Sequence, residues 1–445
     1  MGKHTKQLND IDTQPVGRIF LRYLIPSMIG MLLMAVNIVA DGIMVGNRLG
    51  AEALAGVGIA APVYSIFLAV SLWIGIGAAT KYSMAMGASN PEEGRRIFSH
   101  ALVSIVLITL IIGLLAFLAR TPLAYLLGAN PDTFQYVSDY LYVILLFGVI
   151  LTVENMFSIF VRNDGGPNLA MVALISTSVL NIILNYLFLF VYDYGVKGAA
   201  FATILASALG MLILACHFLK PSNNLKWVRF SFDKTLFVAI VVIGFPSFLS
   251  EVGISVFTIS HNIAFERTAG TVGVAAFSIL NYVHSVMLML FLGLGSAIQP
   301  LISYYQGSKN EKRKRTTMKL AMATALGAGI TSLLVGQFAA SPIVSLFGDF
   351  PEEVTTLAES GIHLFFIAYL FTGMNFVMMT YYQSVGNVRM ATLITASREI
   401  LIMLAFLLIL PALFGMNGIW MSIPASEFVV FLGVWLYQRN AAKSL

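Results

Sequence analysis

Residues 26–50, PSMIGMLLMAVNIVADGIMVGNRLG, and residues 246–270, PSFLSEVGISVFTISHNIAFERTAG, begin and end alike at a fixed offset of 220 positions. The same offset relates further backbone-controlling residues along the chain: Gly87 and Gly307, Pro122 and Pro342, Gly128 and Gly348, Gly198 and Gly418. Glycine and proline restrict or free the backbone, so a duplicated scaffold keeps them while other side chains diverge. The sequence therefore predicts two copies of one half.

The composition indicates a membrane protein. Of 445 residues, 58% are hydrophobic and 11% are charged, whereas about a quarter of the residues in soluble domains are charged. We predict an all-α integral membrane fold, because about 20 apolar residues cross a bilayer as a helix. Twelve such spans are predicted near residues 17–43, 51–76, 97–119, 135–160, 167–190, 197–218, 236–263, 272–298, 317–338, 356–380, 390–412 and 417–438.

Six spans in each half give both halves the same orientation, which makes the repeats parallel. We predict a first lobe over residues 1–219, a cytoplasmic linker over 220–234 and a second lobe over 235–445. Asn90 and Asn310, which precede spans 3 and 9, are predicted helix N-caps.

The basic residues support this topology. With both termini in the cytoplasm, 22 of the 26 Lys and Arg residues lie at the inner side, as short cytoplasmic loops require. The outer side holds only Arg48, Arg120, Lys197 and Arg267. Orientation in the membrane thus explains the net charge of +5 without a nucleic-acid partner. A single cysteine, Cys216, excludes a disulfide within the chain.

Polar residues within the apolar spans are candidates for a functional site. Asp41 follows Asn37 by one helical turn, and Asn181 and Asn185 share this spacing on span 5. Together with Thr203 at the start of span 6 they offer one carboxylate and several neutral oxygens. Such a set suits a proton on Asp41 or a small hard cation such as Na⁺. Alternatively, the Asn and Thr side chains cross-link packed helices.

The repeat favours the functional interpretation. At the 220-residue offset Asp41 becomes His261, Asn181 becomes Leu401 and Thr203 becomes Ile423. The polar set therefore occurs in the first half alone, whereas a purely architectural cluster would be expected in both copies. We predict that this polar set binds a coupling ion, meaning an ion whose movement across the membrane drives transport.

Other ionisable residues within the spans remain open to two interpretations. Glu251 is the best second carboxylate and is a candidate for a cavity in the second lobe. His261 is the other candidate for this cavity and is either a proton switch or a hydrogen-bonded packing histidine. Arg398 and Glu399 are neighbours in sequence, and neighbouring residues of an α-helix do not face each other, so we expect each to pair with other spans.

With these residues in place, the chain resembles the multidrug and toxic compound extrusion (MATE) transporters over nearly its whole length. The stretches that carry the resemblance are IPSMIGMLLMAVNIVADGIMVGNRLGAEALAGVG, VRNDGGPNLAMVALISTSVLNIILNYLFLFVYDYGVKGAAFAT and SREILIMLAFLLILPALFGMNGIW. The combination is similar to the bacterial branch of DNA-damage-inducible and staphylococcal exporters. The resemblance implies two six-helix lobes forming a V, and export of amphipathic, mostly cationic compounds in exchange for H⁺ or Na⁺.

The resemblance also implies where the coupling ion binds. The family's first-lobe cation site falls on Asp41, Asn181, Asn185 and Thr203, and many relatives have Asp in place of Asn185. Another branch uses acids on spans 7 and 10; here Glu251 lies near the span 7 position, while FTGMNFVMM on span 10 has no acid.

We therefore predict a secondary active antiporter of the cell membrane that is not an enzyme, needs no cofactor besides its coupling ion and functions as a monomer. Motifs for nucleotide binding or hydrolysis are not found in the sequence. The alternative functions are those of a lipid-linked oligosaccharide flippase of the same architecture, a major-facilitator symporter and a non-transporting membrane scaffold.

Overall fold

The computed structural model describes residues 6–220 and 223–443, and none of these residues lies in a strand. The α-helices are α1 Lys6–Thr13, α2 Val16–Leu49, α3 Ala51–Gly87, α4 Pro91–Leu118, α5 Arg120–Leu126, α6 Phe134–Asn163, α7 Pro167–Tyr186, α8 Gly195–Ala215, α9 Lys234–Gly307, α10 Glu311–Phe338, α11 Ala340–Ser345, α12 Glu352–Phe365, α13 Tyr369–Ser384, α14 Val388–Ala396, α15 Ile402–Phe414 and α16 Met416–Lys443. Pro221 and Ser222 of the predicted linker lie outside the described residues, as do the first five and last two residues.

The described helices include eleven that are long and apolar enough to cross a membrane. The longest, α9, has 74 residues and would measure about 110 Å as one helix, against a hydrocarbon layer of about 30 Å. Gly270 divides it, because its φ of 57° and ψ of −143° are not helical and suit a residue without a Cβ. Counting the two segments separately gives twelve crossing helices, so the predicted all-α membrane fold is confirmed.

The helix starts follow the predicted capping pattern. The side chain of Asn90 accepts a hydrogen bond from the Glu93 N–H at 3.2 Å, and that of Asn310 accepts one from the Arg313 N–H at 3.2 Å. Each bond satisfies one of the N–H groups that a helix start leaves without a partner. Both predicted N-caps are confirmed.

The chain forms two compact units, one comprising Met1–Phe248 with Pro300–Arg313 and the other Leu249–Gln299 with Lys314–Leu445. The core of the first unit includes Phe67, Leu141 and Ile144, all buried. The core of the second is rich in aromatic rings, such as Phe265 packed against Trp420 at 4.2 Å between ring centroids. The lobe boundaries at residues 219 and 235 stay a prediction.

The linker between the repeats packs along the start of α4 in the first unit. The His100 ring packs against the rings of Phe230 and Phe232, with centroid distances of 5.1 and 5.6 Å. Asp233 caps α9 by accepting hydrogen bonds from the N–H groups of Thr235 and Leu236 and pairs with Arg96 at 2.6 Å. These donors, the Leu236 N–H first, lower the pKa of the Asp233 carboxyl, so the cap stays ionised at physiological pH.

At one end of the first unit, α3 crosses the last turns of α9 with direct backbone contact. A Cβ on Gly87 would overlap the carbonyl oxygen of Tyr304, and a Cβ on Gly307 would overlap that of Met84. Gly87 and Gly307 are also equivalent positions of the repeat. Only glycine permits two helices to approach this closely.

We expect Gly87→Ala to destabilise this crossing by about 1–3 kcal/mol, because the new methyl group meets a carbonyl oxygen rather than a mobile side chain. Thermal unfolding of the purified protein in detergent measures the effect. Gly327→Ala is the matched control, since its Cβ would meet nothing within 4 Å. Equal melting temperatures for Gly87→Ala and wild type would contradict the close approach.

Candidate functional site

The structure brings together the five residues predicted to form the first-half polar site. Asn37 and Asp41 lie on α2, Asn181 and Asn185 on α7, and Thr203 on α8. Asn181 and Asn185 are each 1% exposed, while the other three are half-buried. The i, i+4 spacing on α2 and α7 places each pair on one face, and the two faces meet.

Hydrogen bonds connect these side chains across the three helices. The Asn185 amide nitrogen donates to Asp41 Oδ1 at 2.6 Å. The Asn181 amide nitrogen can donate to Asp41 Oδ1 at 2.6 Å and to Asn37 Oδ1 at 3.1 Å, in an orientation that also places it 3.1 Å from the Asn185 amide nitrogen. Its oxygen then accepts from the N–H and the hydroxyl of Thr203, each at 3.2 Å. Among the described residues, no ion pair includes Asp41, so its charge is balanced by amide dipoles alone.

The site also has an oxygen with no donor. Asn185 Oδ1 is buried and has no hydrogen-bond partner among the described residues. A buried acceptor without a partner is unfavourable, and carbonyl and carboxylate oxygens are ligands for hard cations. The donor set therefore fits a small cation as well as a proton.

The two predicted second-half residues lie in the second unit but do not meet at one site. His261 is 1% exposed, and its ring nitrogens contact the Phe257 carbonyl oxygen at 3.0 Å and Ser422 Oγ at 2.9 Å. Glu251 lies ten residues earlier on α9 and has no ion pair among the described residues. Neither residue lines the cavity described next for this unit, and a functional role for them stays a prediction.

A charged network that was not predicted from the sequence lines one part of a cavity in the second unit, whose walls also include Phe257 and His284. Arg398 Nη2 pairs with Glu427 Oε1 at 2.8 Å, and Arg398 Nη1 pairs with Glu399 Oε1 at 2.9 Å. Asn375 Nδ2 donates to Glu427 Oε2 at 2.7 Å. The expectation that Arg398 and Glu399 do not face each other was wrong, because residues Ser397–Leu401 form a π-helical turn that changes the spacing of neighbouring side chains.

A second network that was missed surrounds Asp164 in the first unit. Asp164 is 0% exposed and contacts His217 Nε2 at 2.8 Å and the hydroxyl of Tyr82, which donates at 2.7 Å. Asn223 of the linker donates to the His217 carbonyl oxygen. The sequence signal was the NDGGP turn at 163–167, where an acid follows directly on a helix end.

Comparisons with known proteins identify the family to which the chain belongs. The MatE family model matches twice, over residues 26–187 and 246–409, so the two matches start 220 residues apart. The multidrug export protein MepA of Staphylococcus saprophyticus is 24% identical over 97% of this chain and 95% of its own length. MepA of Staphylococcus aureus MRSA252 is 25% identical with the same coverage.

Solved structures share the fold. A multidrug resistance MATE family transporter in an outward-facing conformation has a TM-score of 0.93 at 24% identity and covers 100% of this chain and 99% of its own. A MATE in a bent conformation has a TM-score of 0.91 at 24% identity, with coverage of 99% and 98%. Because the family model matches well over half of the residues, once in each repeat, the chain belongs to the MatE family.

Proposed function

We propose that this chain is a secondary active multidrug efflux antiporter that exports amphipathic, mostly cationic compounds in exchange for H⁺ or Na⁺. The observation that carries the proposal is Asp41, an acid that has no basic partner among the described residues and is held by amides from a second helix. An intramembrane acid of this kind is a functional-site candidate by default. Two staphylococcal relatives of this chain are multidrug export proteins, which supports the class of substrate.

The geometry links the charge of Asp41 to the orientation of the Asn181 amide. When Asp41 is ionised, the Asn181 nitrogen faces it at 2.6 Å and the amide oxygen accepts from Thr203. When Asp41 is protonated, its hydroxyl donates to an amide oxygen at that position, and the Asn181 nitrogen turns to Thr203 Oγ1, 3.2 Å away. Binding a proton on α2 thereby changes the hydrogen bonds between α7 and α8.

This coupling provides the mechanism. A proton or Na⁺ entering from outside neutralises Asp41, and the changed contacts of α2, α7 and α8 favour a different packing of the first unit. Export follows if that packing binds the transported compound less well, since an ion shifts an equilibrium only by its differential affinity for the two states. We place the protein in the cell membrane with both termini in the cytoplasm, acting as a monomer and not as an enzyme.

Ethidium efflux from drug-sensitive bacterial cells tests the function. We expect cells that express the wild type to expel the dye when either an inward Na⁺ gradient or an inward proton gradient is imposed, and not without it. The gradient that suffices identifies the ion. Absence of efflux under both gradients, with the protein present in the membrane, would contradict multidrug export and favour the flippase.

A further inference from the structure

We propose that Arg162 forms an oxyanion-binding site for the acidic end of a transported compound, inside a cavity of the first unit. Arg162 lies near the end of α6 and is 5% exposed. Its Nε and Nη2 donate to the carbonyl oxygen and the hydroxyl of Ser158, each at 3.2 Å. Its Nη1 is buried and has no partner among the described residues.

The other buried arginine of the described chain shows what Arg162 lacks. Arg398 is 4% exposed and is neutralised by Glu427 and Glu399. Arg162 is buried to the same degree, yet no ion pair of the described residues includes it. Burial of a charge without a counter-charge is strongly unfavourable. The free donor is therefore available to an anion that enters the cavity.

The cavity suits one charged group attached to an apolar body. Its volume is about 70 Å³, roughly two waters at about 30 Å³ each, which is enough for a carboxylate. Its walls include Met31, Met34, Tyr64 and Phe67, with Glu154 at the same cavity. A guanidinium binds carboxylate and phosphate groups through paired N–H donors.

Glu154 indicates that the compound also has a positively charged group. Its Oε1 accepts a hydrogen bond from Thr177 at 2.8 Å, and it lies eight residues before Arg162, about 12 Å along the helix. An acid and a base that line one cavity favour a zwitterionic, amphipathic compound. This inference rests on the proposed function, because it assumes that the ligand of the cavity is transported.

A matched pair of dyes tests the proposal directly. Rhodamine 110 has a free carboxyl group, and rhodamine 123 is its methyl ester. Binding of each dye is measured by fluorescence anisotropy with the full-length protein in phosphatidylcholine nanodiscs and phosphate-free buffer. We expect Arg162→Gln to weaken rhodamine 110 binding by about tenfold or more, because a charge-assisted bond is lost, and to leave rhodamine 123 binding within about twofold.

Two further variants sharpen the result. Arg162→Lys keeps the positive charge but lacks the planar guanidinium with its paired N–H donors, so we expect an intermediate loss of affinity for rhodamine 110. Arg120→Gln is the matched control, because the Arg120 guanidinium lies over the Phe117 and Tyr142 rings and outside the cavity lining. We expect it to change neither affinity.

Several results would overturn the proposal. In Arg162→Gln, an equal loss of affinity for both dyes, or no loss of affinity for either dye, would do so. So would wild-type binding of rhodamine 110 that is tenfold weaker than that of rhodamine 123. The last measurement needs no variant. Loss of the rhodamine 110 preference when inorganic phosphate or phosphatidylglycerol is added would assign Arg162 to a free anion or a lipid. Because binding is measured without transport, failure of ethidium efflux remains a separate result.

Discussion

Asp41→Asn is expected to remove most of the gradient-driven efflux while leaving the protein folded in the membrane. The substituted amide keeps the size of the side chain and can still contact Asn181 and Asn185, but it neither ionises nor binds a proton. Coupling free energies between sites are typically about 1–3 kcal/mol, or 5–150-fold. We therefore expect gradient-stimulated ethidium efflux to fall by about tenfold or more.

Asp132→Asn is the matched control for this variant. Asp132 is an exposed acid in the loop between α5 and α6, and the same chemical change there is expected to leave efflux at the wild-type rate. Both variants are compared at equal amounts in the membrane. Wild-type efflux by Asp41→Asn under the coupling gradient would show that this carboxylate is not the ion site.

Arg398→Met is expected to produce the largest loss of stability. The substitution leaves Glu427 and Glu399, with 5% and 13% exposed side chains, without their shared counter-charge. Removal of one partner of a buried ion pair costs about 3–5 kcal/mol. We expect a strongly lowered melting temperature for the purified protein in detergent.

The double variant Arg398→Met with Glu427→Gln separates charge from packing. It removes one of the two carboxylates that Arg398→Met leaves without a counter-charge. We therefore expect it to recover part of the lost stability, as replacement of a whole buried pair often does. Arg389→Met is the matched control, because Arg389 is exposed on the same half of the chain. A melting temperature for Arg398→Met as high as that of Arg389→Met would show that the network adds nothing to stability.

The fold was largely predictable because it follows from two sequence signals. Apolar stretches of membrane-spanning length give the helices, and the repeated glycines and prolines give the duplication. Gly270 is an example, since it is the copy of Gly50 and ends the first segment of α9 with a positive φ, as Gly50 does between α2 and α3. The number of spans and the helix starts at Asn90 and Asn310 follow from the same reasoning.

The candidate site was predictable only where polar residues share a helical face. Asp41 stands one turn after Asn37, and Asn185 one turn after Asn181, so the sequence alone indicates that each pair shares a helical face. The contact between Arg398 and Glu399 was not, because a π-helical turn replaces the expected spacing. The burial of Arg162 could not be predicted for another reason. The charge rule assigns arginine to the inner side but says nothing about whether the side chain is buried there.

Ion movement during transport by purified protein tests the central claim most directly. The protein is reconstituted in liposomes that contain a pH-sensitive dye, and ²²Na⁺ uptake is followed in parallel while ethidium is transported. We predict that ethidium moves in one direction while one of the two ions moves in the other, and that Asp41→Asn loses both fluxes together. Ethidium transport without any movement of H⁺ or Na⁺, or coupled transport that survives Asp41→Asn, would contradict it.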